Sequence, residues 1–103
     1  MKNYVLIYYN NGVRDDVSPE ENKAAWGGWF GSLGDKIVDA GNPFAPGGKA
    51  VEKSGVTTIE NWPATGYTIV KANSLDEAVE LAKGCPVLDE PDGAVRVHET
   101  LPM

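Results

Sequence analysis

The stretch GYTIVKANSLDEAVELA at residues 66–82 decides the fold of this chain. Its first seven residues are rich in aromatic and β-branched side chains, which is typical of a strand. Ser74 and Glu77 then form a capping box that predicts the start of a helix, and Gly84 with Pro86 predicts its end. A strand leading directly into a helix is therefore the clearest local signal.

A second strand and helix precede this stretch. Residues 3–9 form an apolar run without polar alternation, which predicts a strand covered on both faces, and NNG at 10–12 marks its end. SPEE at 18–21 predicts a capped helix start. Apolar residues at helical spacing continue to Ala40, and Gly41 can end the helix, so we expect about 22 helical residues.

Four glycines lie inside this expected helix: Gly27, Gly28, Gly31 and Gly34. Each costs about 1 kcal/mol relative to alanine. Either the helix packs tightly on the sheet, which we favour, or a ligand approaches its backbone closely.

The remaining patterns complete one domain over residues 1–103. Residues 49–52 and 56–59 resemble two short strands around a turn, and residues 94–99 alternate as a last strand. The order predicts an α+β protein with a ferredoxin-like βαββαβ antiparallel sheet and both helices on one face.

The sheet face turned away from the helices would carry Tyr67 and Ile69. Such a face is too apolar to leave in water, and a chain of 103 residues buries only a modest core. We therefore expect a homodimer in which two copies pack sheet to sheet.

Several of these segments together resemble one known family. Residues 66–82, the following Gly84-Cys85-Pro86, the closing strand 95–99 and the opening strand are similar to the YCII-related (DGPF-type) family, as is a tryptophan-bearing first helix. The resemblance covers nearly the whole chain and is weakest over residues 44–65. It implies a dimeric α+β barrel of small bacterial proteins, many of which have no assigned activity.

The resemblance does not extend to a catalytic pair. Some members of that family are thought to use a histidine near the start of the first helix together with an aspartate. This chain has only His98, in its last expected strand, while Asp35 and Asp39 have no histidine nearby in sequence. The resemblance therefore implies the fold and the dimer, but it implies no catalytic residues.

His98 is the weak catalytic candidate, because histidine titrates near neutral pH. Strand alternation places it on one face with Arg96, and near Lys71 if those two strands pair. It is either a general base or ligand donor, or, as we favour, an exposed or interface histidine.

Aromatic residues provide the other candidates for a pocket. Trp26 and Trp29 lie on the helix stripe and are expected in the core, whereas Trp62 lies in a loop and suits a pocket wall or lid. The expected ligand pocket comprises Trp62, Tyr67, Lys71, Arg96 and His98.

Composition excludes several classes of function. A net charge of −6 with nine scattered basic residues disfavours nucleic acid, and no apolar stretch approaches the ~20 residues that span a bilayer. The lone Cys85 cannot form an internal disulfide and, after a helix end, does not suit a nucleophile. We expect a cytoplasmic protein without cofactor or metal, with acidic pairs such as Asp15-Asp16 in solvent.

Three functions follow. We favour a homodimer that binds a small organic ligand in a cleft, which predicts an apolar cavity without a titratable pair. The alternative is a cofactor-independent barrel enzyme of isomerase, lyase or oxygenase type, acting on a small aromatic or lactone-like substrate, with His98 or Tyr67 handling a proton. The enzyme predicts a polar group inside a concave, water-accessible cavity. The third is a non-catalytic accessory subunit, which predicts no cavity.

Overall fold

A computed structural model describes residues 1–10 and 17–103 of the chain. The strands are β1 (Lys2–Tyr9), β2 (Ile37–Asp39), β3 (Lys49–Glu52), β4 (Gly55–Thr58), β5 (Ala64–Ala72) and β6 (Ala94–Glu99), and the helices are α1 (Pro19–Leu33) and α2 (Leu75–Ala82). Two short 3-10 helices cover Gly34–Lys36 and Pro86–Asp89. Asn11 and Gly12 of the strand-ending NNG and the acidic pair Asp15-Asp16 lie outside the described residues.

The main sheet has four antiparallel strands in the order β2-β5-β1-β6. The first strand of the chain is therefore central, between β5 and β6. This order with two helices is compatible with a ferredoxin-like fold, and the α+β class is confirmed. Neither helix in the described ranges is long and apolar enough to cross a membrane.

The expected helix of about 22 residues is too long, since α1 has 15 residues. α1 ends at Leu33, because Gly34 adopts a positive φ of 55° and its N–H bonds to the carbonyl of Phe30. The chain then forms β2, whose β-branched Ile37 and Val38 suit a strand, and β2 pairs with the edge of β5. The second strand of the main sheet is thus this short segment.

The expected hairpin after residue 48 is present, but it does not join the main sheet. β3 and β4 pair only with each other, with Val51 opposite Val56. Both valines are exposed. The hairpin is inserted between β2 and β5 in the sequence, while in the sheet those two strands pair directly.

Both helix starts follow the capping rules. The backbone N–H of Glu21 donates to Ser18 Oγ at 3.1 Å, and that of Glu77 donates to Ser74 Oγ at 3.1 Å. Each cap satisfies a donor that the first helical turn leaves without an internal partner.

The core lies between the two helices and one face of the sheet. β1 buries Tyr4, Leu6 and Tyr8 at alternate positions, as the two-residue period of a strand requires. The rest of the buried apolar cluster comprises Trp29, Leu33, Val70, Ala72, Ala78, Ala82, Cys85 and Val87. Because these residues come from both helices and from one strand face, the helices share that face.

The helix glycines do not pack tightly on the sheet, contrary to the favoured expectation. A β-carbon added at Gly27, Gly28, Gly31 or Gly34 would have no neighbour within 4 Å among the described residues, apart from its own helix backbone. Close approach occurs instead at Gly41 and Gly66, outside α1.

Candidate functional site

A cavity of about 660 Å³ lies between α1 and the end of the sheet where β1 finishes and β5 begins. Its walls come from α1, from residues 40–43 after β2, from residues 65–68 of β5 and from the end of β1. Cavities that bind small molecules typically measure about 300–1,000 Å³. The size therefore suits a small organic ligand.

The α1 side of the cavity is aromatic. Trp26 and Phe30 line it, with ring centroids 6.0 Å apart, and the Tyr8 ring meets Trp26 edge to face at 5.0 Å. Behind them, the buried Trp29 donates from Nε1 to the Leu81 carbonyl at 3.1 Å, which ties α1 to the end of α2. Trp29 is in the core as expected, whereas Trp26 is partly buried and forms cavity wall.

A buried chain of hydroxyl groups forms part of the opposite wall. The Tyr8 hydroxyl donates to Thr68 Oγ1 at 2.5 Å, and Thr68 Oγ1 donates to the Ala40 carbonyl at 2.9 Å. All three residues line the cavity. Burial raises the pKa of Tyr8 above its ordinary value, and the hydrogen bond to Thr68 offsets part of that rise. Tyr8 is therefore neutral at physiological pH.

Two glycines let the segment after β2 lie against β5. Gly41 has a φ of 76°, and a β-carbon there would overlap the backbone carbonyl of Tyr67. A β-carbon at Gly66 would lie 3.1 Å from the Asn42 carbonyl oxygen. Asp39 fixes the turn, since its Oδ1 accepts from the Gly41 N–H at 2.8 Å. This contact places the Ala40 carbonyl beside Thr68.

The rim of the cavity carries polar and charged side chains. Asn10 donates from Nδ2 to Glu90 Oε2 at 3.2 Å, and both residues line the cavity. Asn22 and Lys23 line it from the first turns of α1. The charges of Lys23 and Glu90 are opposite, so these two described rim residues together favour no single sign of ligand charge.

Of the five residues expected in a pocket, Tyr67 alone borders this cavity, although strand alternation turns its side chain to the other sheet face, where Tyr67 lies opposite Ile7. Lys71, Arg96 and His98 follow the strand alternation onto that same sheet face, which we call the open face. β1 separates β5 from β6, with Val5 opposite His98, so the strands of Lys71 and His98 do not pair. The open face therefore carries these three basic side chains.

Trp62 joins a cluster at one end of the open face. Its ring stacks on Tyr9 at 4.8 Å, and the Arg96 guanidinium lies 4.8 Å from the centroid of each ring. Trp62 Nε1 also donates to the Asp92 carbonyl at 2.9 Å. The structure thus brings Trp62 and Arg96 together, as expected, but away from the cavity.

The sequence interpretation missed Tyr8, Thr68 and Gly41 as cavity residues. One signal was available for Thr68, because it is a polar residue at a buried position of β5, two residues from Val70. A buried hydroxyl requires a hydrogen-bond partner. No sequence pattern connects Tyr8 with Ala40, since the β1–β5 pairing and the turn at Gly41 bring them together.

Cys85 is buried beside the short helix that starts at Pro86. Burial raises the pKa of its thiol from 9.0 to about 12, and the nearby carboxylates of Asp89 and Glu90 act in the same direction. The thiol is therefore protonated at neutral pH, which agrees with the expectation that it is not a nucleophile.

The raised pKa predicts a loss of stability in alkali. The native protein keeps the Cys85 proton up to about pH 12, whereas the unfolded chain loses it above about pH 9. The contribution of the protonated Cys85 thiol to the free energy of unfolding is therefore fully present below pH 9. Above pH 9 this contribution falls by up to about 1.4 kcal/mol per pH unit. Urea unfolding from pH 7 to 11 should show a flatter decline for Cys85→Ala. Parallel profiles would contradict the assignment.

Within residues 1–10 and 17–103, no group of three or more histidine, cysteine or acidic side chains is placed to hold a metal ion.

Among known proteins, no protein-family model matches the chain, and no curated protein matches it either.

Proposed function

We propose that this protein binds a small, flat, largely apolar organic molecule in the cavity between α1 and the sheet. The observation that carries the proposal is a cavity of about 660 Å³ with Trp26 and Phe30 on one side and the Tyr8–Thr68 hydroxyl pair on the other. Flat aromatic walls complement planar ligands, and a few polar groups fix their orientation.

The chemistry of the cavity favours binding over catalysis. Its buried titratable group is the Tyr8 phenol, whose raised pKa keeps it from acting as a base near neutral pH. The enzyme alternative uses His98 or Tyr67 for proton transfer, and strand alternation turns both side chains to the open face. The accessory-subunit alternative expects no cavity, so the cavity itself counts against it.

The open face supports a homodimer as part of the same proposal. Val5 lies opposite Ile69, and Ile7 lies opposite Tyr67, so apolar side chains adjoin each other across the two central strands. Two copies packed sheet to sheet would cover these side chains and form the α+β barrel that the resemblance to the YCII-related family implies. Both cavities, on the helix side of the sheets, stay open to solvent.

Two glycines of α1 provide a matched test of binding. Gly27 lines the cavity and Gly28 does not, although both have open space around the β-carbon position. With 2-naphthol as the probe, Gly27→Phe should fill the cavity and weaken binding by at least about tenfold, equivalent to about 1.4 kcal/mol. Gly28→Phe should leave the affinity unchanged. Isothermal titration calorimetry measures both.

Two results would contradict the proposal. The first is a native protein that shows no saturable binding of 2-naphthol. The second is equal weakening by Gly27→Phe and Gly28→Phe, because that would place the probe elsewhere on α1. Circular dichroism on each variant checks that α1 is intact.

A further inference from the structure

The direction of the hydrogen bonds in the cavity wall is fixed by one carbonyl group. The Ala40 carbonyl oxygen can only accept, so the 2.9 Å contact requires Thr68 to donate its single hydroxyl proton to it. Thr68 Oγ1 then has only lone pairs for Tyr8. The contact between the two hydroxyl groups therefore uses the proton of Tyr8.

This arrangement leaves the Tyr8 oxygen with lone pairs and no proton for a ligand. Thr68 is fully buried, so water cannot reach its hydroxyl and reverse the direction of this contact. Tyr8 lines the cavity and keeps 5% of its surface exposed, and its phenol is neutral, because burial raises its pKa. This part of the cavity wall is thus a neutral hydrogen-bond acceptor beside the Trp26 ring.

We propose that the cavity selects ligands that carry a neutral O–H or N–H donor on an aromatic ring and discriminates against those that present only an acceptor. This inference rests on the proposed function, since it specifies which ligands the same cavity prefers. An acceptor placed against the Tyr8 oxygen would meet lone pairs and lose its own hydration without replacement. A donor gains a hydrogen bond in the same place.

A matched pair of probes separates these cases. 2-Naphthol carries an O–H donor, while 2-methoxynaphthalene has the same ring system and only an acceptor oxygen. Calorimetry on the native protein should give about fivefold tighter binding of 2-naphthol, the ratio expected for one net hydrogen bond. In Tyr8→Phe, which keeps the ring and removes the acceptor, the two affinities should become nearly equal.

Thr68→Val provides a second, opposite test. It keeps the side-chain shape but removes the group that takes the Tyr8 proton, so Tyr8 becomes free to donate as well as accept. 2-Methoxynaphthalene should then bind about as tightly as 2-naphthol, through a gain in its own affinity. In Tyr8→Phe the two affinities become equal because 2-naphthol binds more weakly. The two variants therefore differ in which probe changes its affinity.

The outcomes distinguish this inference from the proposed function. If both probes bind the native protein equally, the donor preference is wrong while the cavity remains a binding site. If the preference for 2-naphthol survives in Tyr8→Phe and Thr68→Val, the donor is recognised elsewhere and the inference is overturned. If neither probe binds the native protein, both the proposed function and the inference are wrong.

Discussion

Replacing Gly41 with alanine should lower the free energy of unfolding by about 3 kcal/mol, a large part of the ~5–15 kcal/mol that stabilises a small domain. The φ of 76° is strained for any residue with a β-carbon, and the new methyl group would overlap the Tyr67 carbonyl. The segment after β2 must then move away from β5. That movement also separates the Ala40 carbonyl from Thr68, so 2-naphthol binding should weaken.

Gly28→Ala is the matched control, because Gly28 is an exposed glycine in the interior of α1 with no neighbour near the β-carbon position. It should raise the free energy of unfolding by about 1 kcal/mol. Urea unfolding followed by circular dichroism measures both variants. Similar shifts in the two variants would show that the contact between Gly41 and Tyr67 is not formed.

Ile69→Lys should convert the proposed homodimer into a folded monomer. Ile69 lies on the open face next to Val5, and Lys71 lies on the same face two residues along β5. In a sheet-to-sheet dimer the substitution buries an ammonium group from each copy against surfaces that already carry Lys71 and Arg96. Burying unpaired charge costs several kcal/mol, which exceeds what one apolar contact can offset.

Light scattering checks this result directly. The native mass should be twice the 11.0 kDa of the chain, and Ile69→Lys should give 11.0 kDa with a cooperative thermal transition. Val51→Lys is the control: Val51 is 79% exposed in the β3–β4 hairpin, away from the main sheet. A native monomer, or an Ile69→Lys protein that remains dimeric, would overturn the proposed interface.

Local signals predicted well those elements that are stabilised within their own sequence. The serine caps at Ser18 and Ser74 and the hairpin at residues 49–58 formed as their patterns indicated. Capping and turn geometry depend on residues within a few positions of each other. For these elements the sequence carries the whole physical reason.

The boundary between α1 and β2 was predicted wrongly because two local signals compete there. The apolar spacing through Ile37 continues the helix pattern, but Gly34 ends the helix by adopting a positive φ. Pairing with β5 then selects the extended form of Ile37–Asp39. The helical spacing of apolar residues cannot predict that pairing, because the partner strand is about thirty residues away in the chain.

The amino-acid sequence by itself determined the α+β class, both capped helix starts and the alternation that places Arg96 and His98 together on one sheet face. Only the tertiary structure decided that the cavity lies on the other face and that Tyr8, Thr68 and Ala40 form one hydrogen-bonded chain in its wall. The reason is physical: side-chain direction along a strand is a local property with a period of two. A cavity wall depends on register and on close contacts such as that between Gly41 and Tyr67, which join residues distant in sequence.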